Sequence, residues 1–209
     1  MIGVIDYGMG NLFSVSKALE RLNVPYKLGN RPYLIEDCNG YILPGVGAFP
    51  DAMKALKEHG FIDFIQRKVE EEVPLYGICL GMQLLFESSE EGGHTKGLGY
   101  FPGNIVKFSG IDAEKRPYKV PHMGWNQLQI YQPGQSIVTN VGEDYVYFVH
   151  SYVVKTEDDS ILYAAADYHQ QVPAVVGKGQ LAASQFHPEK SGSAGMKLLE
   201  NFCKRMVKQ

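Results

Sequence analysis

Gly77-Ile78-Cys79-Leu80-Gly81 joins a short apolar run, Pro74-Leu75-Tyr76-Gly77-Ile78, to a helical pattern over residues 80–86. A run this short and this apolar predicts a strand covered on both faces. The form G-x-C-x-G at its end predicts a sharp strand-to-helix turn with a nucleophile at the tip. Glycines flank the tip because the backbone there is strained and crowded, and Gly77 and Gly81 leave it room. At a helix start, Cys79 meets free N–H groups and the positive end of the dipole, and both favour a thiolate. The N–H of Leu80 would then face an oxyanion formed on an attacked carbonyl carbon. Taken alone, the same cysteine also fits a small residue packed at a strand end.

Outward from this turn, the chain alternates strands and helices. Residues 2–5 form an apolar run stopped by Asp6, and Gly8 and Gly10 follow. Leu12, Val15, Ala18, Leu19 and Leu22 then recur at helical spacing, with Asn11 as the N-cap. Tyr41-Ile42-Leu43 predicts another strand, running into Pro44-Gly45-Val46-Gly47, and helical patterns follow at 52–56 and 61–69. This order predicts an α/β fold with a mostly parallel sheet flanked by helices. Between residues 97 and 186 the pattern changes to short alternating stretches, at 104–108, 125–130, 145–149, 161–165, 174–176 and 181–186. Gly110, Pro133-Gly134, Gly142 and Asp158-Asp159-Ser160 separate them, which predicts an added antiparallel β portion. Residues 195–207 predict a closing helix with Met196, Leu199, Phe202 and Met206 on one face. No repeat, low-complexity tract or linker divides residues 1–209, so a single domain is expected.

Composition bounds the function. The 209 residues carry 20 Lys+Arg against 23 Asp+Glu, with 44% hydrophobic and 21% charged residues. A chain of this length buries roughly 70% of its unfolded surface and needs no disulfide or metal to hold a core. The near balance of charge excludes the broad basic field of a nucleic-acid binder. Cys38, Cys79 and Cys203 are too few and too far apart for a disulfide framework and suit a reducing, cytoplasmic setting. The opening MIGVIDYGMG has no basic segment of the kind that starts a signal peptide. The longest nearly apolar run, 73–86, is too short to cross a bilayer.

A thiol nucleophile needs a base. In Ser184-Gln185-Phe186-His187-Pro188-Glu189-Lys190, His187 ends an alternating strand and Pro188 stops the ladder. In extended backbone, residues i and i+2 share a side, so Glu189 can bind one ring nitrogen of His187 and leave the other for a thiol. That is the orienting third member of a nucleophile–base–carboxylate triad. Without the Cys79 turn, the pair would read as an ordinary surface contact. Gly45 and Gly47 permit close backbone approach of a second oxyanion donor, and they also fit a plain turn.

With these motifs assembled, the chain resembles the class I, triad-type glutamine amidotransferases, on Gly77-Ile-Cys-Leu-Gly-Met-Gln83 and His187-Pro-Glu189. Further segments make it similar, within that family, to the glutaminase subunits of imidazole glycerol phosphate synthase. These are Asp6-Tyr7-Gly8-Met9-Gly10-Asn11-Leu12, Pro44-Gly-Val-Gly-Ala-Phe49, Pro121-His-Met-Gly-Trp-Asn126, Tyr147-Phe-Val-His-Ser-Tyr152 and His187-Pro-Glu-Lys-Ser-Gly192, in the family order. The resemblance implies that Cys79 attacks the glutamine amide and forms a glutamyl thioester. It implies that His187 acts as acid and base and that Glu189 orients it. By the same match, the N–H of Leu80 is one oxyanion donor and the backbone at Val46 and Gly47 the other. Gln83, Gly47, Ser151 and Tyr152 fall at the amino-acid end of glutamine.

The implied partner is a separate cyclase subunit that takes the ammonia and makes imidazole glycerol phosphate and AICAR in histidine biosynthesis, as a heterodimer. Met123, Trp125, Asn126, Tyr147 and Lys190 resemble the face that meets this partner at the ammonia entrance. Trp125 and Tyr147 also fit core aromatics, and Lys190 a solvated helix start.

Other polar groups read as structural. Glu87, Glu90 and Glu91 predict a solvated helix end. His59, His94 and His169 lack ligand spacing, so neither a metal nor a cofactor is expected. His122 and His150 lie in matched segments without an assigned proton-transfer role. Gly8-Met9-Gly10 lacks the lysine and spacing of a phosphate loop. A related synthase as partner, a catalytically silent scaffold and a redox cysteine are the competing readings. The last lacks a resolving thiol.

Overall fold

In the strand β1 (Ile2–Ile5), Ile2 and Val4 enter one apolar core and Ile5 the other. The same period of two recurs in β3 (Gly40–Gly45) and β4 (Leu75–Cys79), where Ile42, Tyr76 and Ile78 face the first core and Tyr41, Leu43 and Leu75 the second. Strands covered on both faces have to be apolar on both, which is why these runs lack polar alternation. The structure, a computed structural model, describes residues 1–207.

Between these strands lie α1 (Leu12–Arg21), β2 (Tyr26–Gly29), α2 (Phe49–Glu58), α3 (Phe61–Glu70) and, after β4, α4 (Leu80–Leu84). The rest of the chain supplies β5 (Phe86–Ser89), β6 (Thr95–Lys96), β7 (Phe101–Lys107), β8 (His122–Gln127), β9 (Gln129–Ile130) and β10 (Tyr145–His150). β11 (Tyr152–Lys155), β12 (Leu162–Asp167), β13 (Gln171–Lys178), β14 (Leu181–Ser184) and α5 (Gly192–Asn201) complete it. Val15, Ala18 and Leu19 of α1 and Leu198 and Leu199 of α5 close the first core. Phe49, Ala52 and Leu56 of α2, with Phe61, Phe64 and Ile65 of α3, close the second. Each Val, Leu, Ile or Phe side chain among them contributes roughly 1.5–3 kcal/mol on full burial.

The main sheet has eight strands in the order β2-β1-β3-β4-β14-β13-β12-β9. From β2 to β14 every pairing is parallel, and from β14 to β9 every pairing is antiparallel. The α/β architecture with an antiparallel extension is therefore as the sequence predicts. A smaller sheet, β11-β7-β5-β6, and a two-stranded ribbon of β8 and β10 flank it.

Helix α1 starts where expected, with the Asn11 side-chain Oδ1 accepting the Ser14 N–H at 3.4 Å. Other segments differ from the sequence reading. β2 was not foreseen, because an edge strand with one buried residue in four carries no apolar pattern. The helix expected over 80–86 ends at Leu84, and α5 widens into a π-helical turn at Phe202–Met206. The acids expected at a solvated helix end instead follow or lie in β5. There Glu87 accepts the Gly103 N–H (2.9 Å), Glu90 the Lys107 N–H (2.6 Å) and Glu91 the Phe49 N–H (2.8 Å). Carboxylates that satisfy backbone donors of other segments are structural wherever they fall, and a charge run alone does not distinguish them from a solvated face.

Candidate active site

Register decides which residues meet. β14 lies parallel to β4 with Ser184 opposite Ile78, and β3 lies on the other side with Gly45 opposite Cys79. The segments leaving three neighbouring strands, Val46-Gly47, Cys79-Leu80 and residues 185–189, therefore emerge at the same edge of the sheet.

At the turn, Cys79 has φ 56° and ψ −109°, in the positive-φ region that a side chain rarely occupies. The glycines around it are required by backbone contact. A Cβ on Gly81 would drive into the Leu43 carbonyl oxygen, and one on Gly77 would lie 2.7 Å from the Gly81 oxygen. A Cβ on Gly45 would stand 2.7 Å from both the Gly81 nitrogen and the Tyr7 hydroxyl. The turn is thus set by three segments packed backbone to backbone.

His187 is buried, and its Nδ1–H donates to the Glu189 Oε1 at 2.9 Å. Burial pulls the His187 pKa down, but the neighbouring Cys79 sulfur and the Glu189 carboxylate outweigh it and raise it to about 10. Both neighbours favour the charged ring, an imidazolium beside the sulfur. Ser191 Oγ donates to the His187 carbonyl at 2.7 Å and accepts the Tyr147 N–H at 2.9 Å, tying this loop to β10.

A pocket of 260 Å³ opens over the sulfur, lined by Val46, Gly47, Cys79, Leu80, Gln83, Glu91, Val149, His150, Tyr152 and His187. A larger cleft of 880 Å³, along Pro102–Asn104 and residues 155–158, gathers no nucleophile and base. Gln83 is buried, and its Nε2 donates to the Tyr152 carbonyl (3.2 Å) and to the Gln185 Oε1 (3.0 Å). Leu80 opens α4, where the first N–H groups have no partner within the helix. Of the backbone at the other oxyanion position, the Val46 N–H is engaged by the Met9 carbonyl at 3.1 Å, and Gly47 has φ 107°. Ser151 stands apart from the pocket lining, and its carbonyl accepts the Phe108 N–H.

On the ribbon, Met123 and Trp125 are exposed, and Trp125 meets Tyr147 across the strands with ring centroids 5.8 Å apart. Lys190 is exposed just beyond Glu189. Asn126 is committed within the chain at both ends of its amide, to His122 Nε2 and to the Asp167 carbonyl, each at 2.8 Å. Among the described residues, no group of three or more His, Cys, Asp and Glu could hold a metal, and no helix is long and apolar enough to cross a membrane.

Two residues of the site were missed in the sequence. Gln185 is fully buried, with its Nε2 3.9 Å from the Cys79 sulfur. Glu189 reaches His187 from a 3-10 turn over Pro188–Lys190, not from the extended segment the sequence predicts, and Gln185 lies in the bend after β14, where alternation does not decide its side. Glu91, read as solvated, lines the pocket through the fold of β5, and nothing local announces that.

The family model "Glutamine amidotransferase class-I" matches residues 3–206. The chain is 55% identical over 202 residues to the imidazole glycerol phosphate synthase subunit HisH of Halalkalibacterium halodurans, covering 97% of this chain and 94% of that one. It is 57% identical to the same-named protein of Shouchella clausii, covering 97% of each. With that of Bacillus subtilis it shares 49% over all 209 residues, 98% of that protein. Among solved structures, a glutamine amidotransferase crystal structure superposes with a TM-score of 0.73 at 22% identity, covering 96% of each chain. PurLQS from Thermotoga maritima does so with 0.74 at 18%, also over 96% of each. These two show likeness of fold.

Proposed function

The chain belongs to the class I glutamine amidotransferase family, and on that premise we propose that Cys79, His187 and Glu189 are the triad with which it hydrolyses L-glutamine to glutamate and ammonia. It does so as the glutaminase subunit of imidazole glycerol phosphate synthase in histidine biosynthesis, as its relatives named HisH support. The observation that carries the triad is the convergence of a strained cysteine and a buried His–Glu pair on one pocket.

The Cys79 thiolate attacks the side-chain amide carbon, and the C=O electron pair moves onto oxygen. The His187 imidazolium then gives its proton to the amide nitrogen, and the C–N bond breaks with release of ammonia. The thioester is cleaved by water, whose proton His187 takes up, and the thiolate leaves. Glu189 holds the ring orientation throughout. The N–H of Leu80 stabilises the oxyanion, and the backbone at Val46 and Gly47 is the second donor, completed when the Val46 N–H leaves the Met9 carbonyl. Gln83, Gly47 and Tyr152 line the amino-acid end of the substrate, with Ser151 behind Tyr152. The Glu91 carboxylate faces the α-ammonium group.

A cyclase subunit docks as a heterodimer on the face formed by Met123, Trp125, Tyr147 and Lys190, with Asn126 bracing the ribbon from behind. Exposed aromatic and long apolar side chains on one face are typical anchors of an interface. One glutaminase domain in the cytoplasm completes the reading. Its test is glutamate release from L-glutamine, with and without the cyclase subunit loaded with its nucleotide substrate. Release is expected to rise strongly with the loaded partner. Cys79→Ala should abolish it while the partner still uses free ammonium. Parent-rate hydrolysis by that variant would overturn the nucleophile assignment.

A further inference from the structure

His122 and His150 face each other across the ribbon, paired in register on β8 and β10, and both are buried. His122 Nδ1 lies 2.9 Å from His150 Nε2. His150 Nδ1 is 2.7 Å from the Tyr152 carbonyl, and His122 Nε2 is 2.8 Å from the Asn126 carbonyl oxygen. Both outer partners can only accept, because the Asn126 Nδ2 is committed to the Asp167 carbonyl. Three hydrogen bonds therefore require three N–H groups, and two neutral imidazoles supply two. With both rings neutral, one bond places two lone pairs against each other.

The surroundings indicate where a third proton sits. His122 is stacked between Phe148 (centroids 4.6 Å apart, 20° between planes) and Tyr168 (4.0 Å, 15°). Aromatic faces attract a cation. His150 lies nearer the charged His187, which opposes a second charge on it. Burial lowers the pKa of both rings, that of His150 to about 3; the Asn126 amide works against this on His122, as the Tyr152 carbonyl does on His150. Phe108 lies edge-on to His122 and also meets His150, and beyond it stands Tyr118, with His169 stacked on the latter. Asp167 lies exposed at the end of β12.

We propose that His122, His150 and Asn126 are positioning residues that hold the Tyr152 carbonyl beneath Gln83, and that their chain keeps one proton beyond those of two neutral rings, on His122. The Tyr152 carbonyl that receives the His150 N–H also receives the Gln83 amide, and Gln83 in turn donates to Gln185 beside the Cys79 sulfur. The inner face of the ribbon thus fixes the end of the pocket that receives the substrate's amino-acid group. This rests on the glutaminase reading for the role of Gln83, but the proton count does not.

The test is nitrogen NMR of the full chain labelled with 15N-histidine, near pH 7. The expected spectrum has both His122 nitrogens protonated and His150 as the neutral Nδ1–H tautomer. A neutral His122 overturns the proposal. Asn126→Ala removes the acceptor at the outer end, so His122 should lose its charge in the variant, and a His122 that stays charged also overturns it. In the complex with the cyclase subunit, His122→Phe keeps the stacking and breaks the chain. The KM for glutamine should rise roughly tenfold, one hydrogen bond's worth, with kcat changed less. An unchanged KM in a folded variant overturns the positioning role. Absence of glutamine hydrolysis in the parent complex would instead overturn the glutaminase reading and leave the NMR outcome to decide the proton.

Discussion

At the turn around Cys79, three segments touch backbone to backbone, and glycine is the residue that fits at Gly45, Gly77 and Gly81. Across the same pocket, the β8/β10 ribbon has a buried inner face, with His122, Val146, Phe148 and His150, and an outer face that leaves Met123, Trp125 and Tyr145 in solvent. Gly124 on the ribbon has φ 144° and nothing within 4 Å of where its Cβ would be. One wall of the site is crowded backbone, and the other is a half-covered surface. A nucleophile in a strained conformation persists only where its neighbours over-determine it. A docking face has to stay uncovered until its partner arrives.

Three changes would break or sharpen this contrast. The largest effect is expected from Glu189→Gln, which keeps the shape and removes the charge behind His187. Glutamine hydrolysis in the complex should fall about a hundredfold to ten-thousandfold, read as kcat. The carboxylate helps raise the His187 pKa to about 10, so in the variant the ring should titrate lower, as 15N NMR would show. The sign for stability follows. A histidine raised in the folded state contributes stability fully present below its unfolded pKa of about 6.5, and that contribution fades as pH climbs toward 10. In Glu189→Gln the fading should come at lower pH.

Next is Gly81→Ala, whose Cβ meets the Leu43 carbonyl. Urea denaturation should show a loss of about 3 kcal/mol, against about 1 kcal/mol for Gly124→Ala, where the cost is the backbone angle alone. Equal losses at the two positions would mean that the turn is no more crowded than the ribbon. The smallest is Trp125→Ala, expected to weaken binding to the cyclase subunit by about 2 kcal/mol in calorimetry and to change the chain's own stability by less than about 1 kcal/mol. A large loss of stability with unaltered binding would make that ring part of the core.

How far the site was legible depended on how local its signal was. Cys79 with its glycines is a short pattern whose geometry follows from one turn, and His187 meets Glu189 two residues on through the 3-10 turn at Pro188–Lys190 rather than through extended backbone. Gln185 lies in the bend between β14 and that turn, where no period of two applies. Glu91 could not be read, because its carboxylate reaches the pocket through the folding back of β5, and the acid run it belongs to looks the same when solvated. Asn126 was expected at the partner's face, yet its amide is taken up inside the chain by His122 and Asp167. Sequence spacing tells which side of a strand a residue takes, and the partner on that side is set by other strands.

From the sequence alone came the alternation of strands and helices, the change to antiparallel β in the second half, the strained turn at Cys79 and the pairing of His187 with Glu189. These rest on periodicity and backbone sterics within a few residues. The tertiary structure alone decided that β14 inserts beside β4, so that residues 185–189 arrive at Cys79 from more than a hundred positions away. It also decided that two histidines meet in a chain of three hydrogen bonds, for which two neutral rings have one N–H too few. Long-range pairing is fixed by burial and register summed over the whole sheet, and no short window of sequence contains that sum.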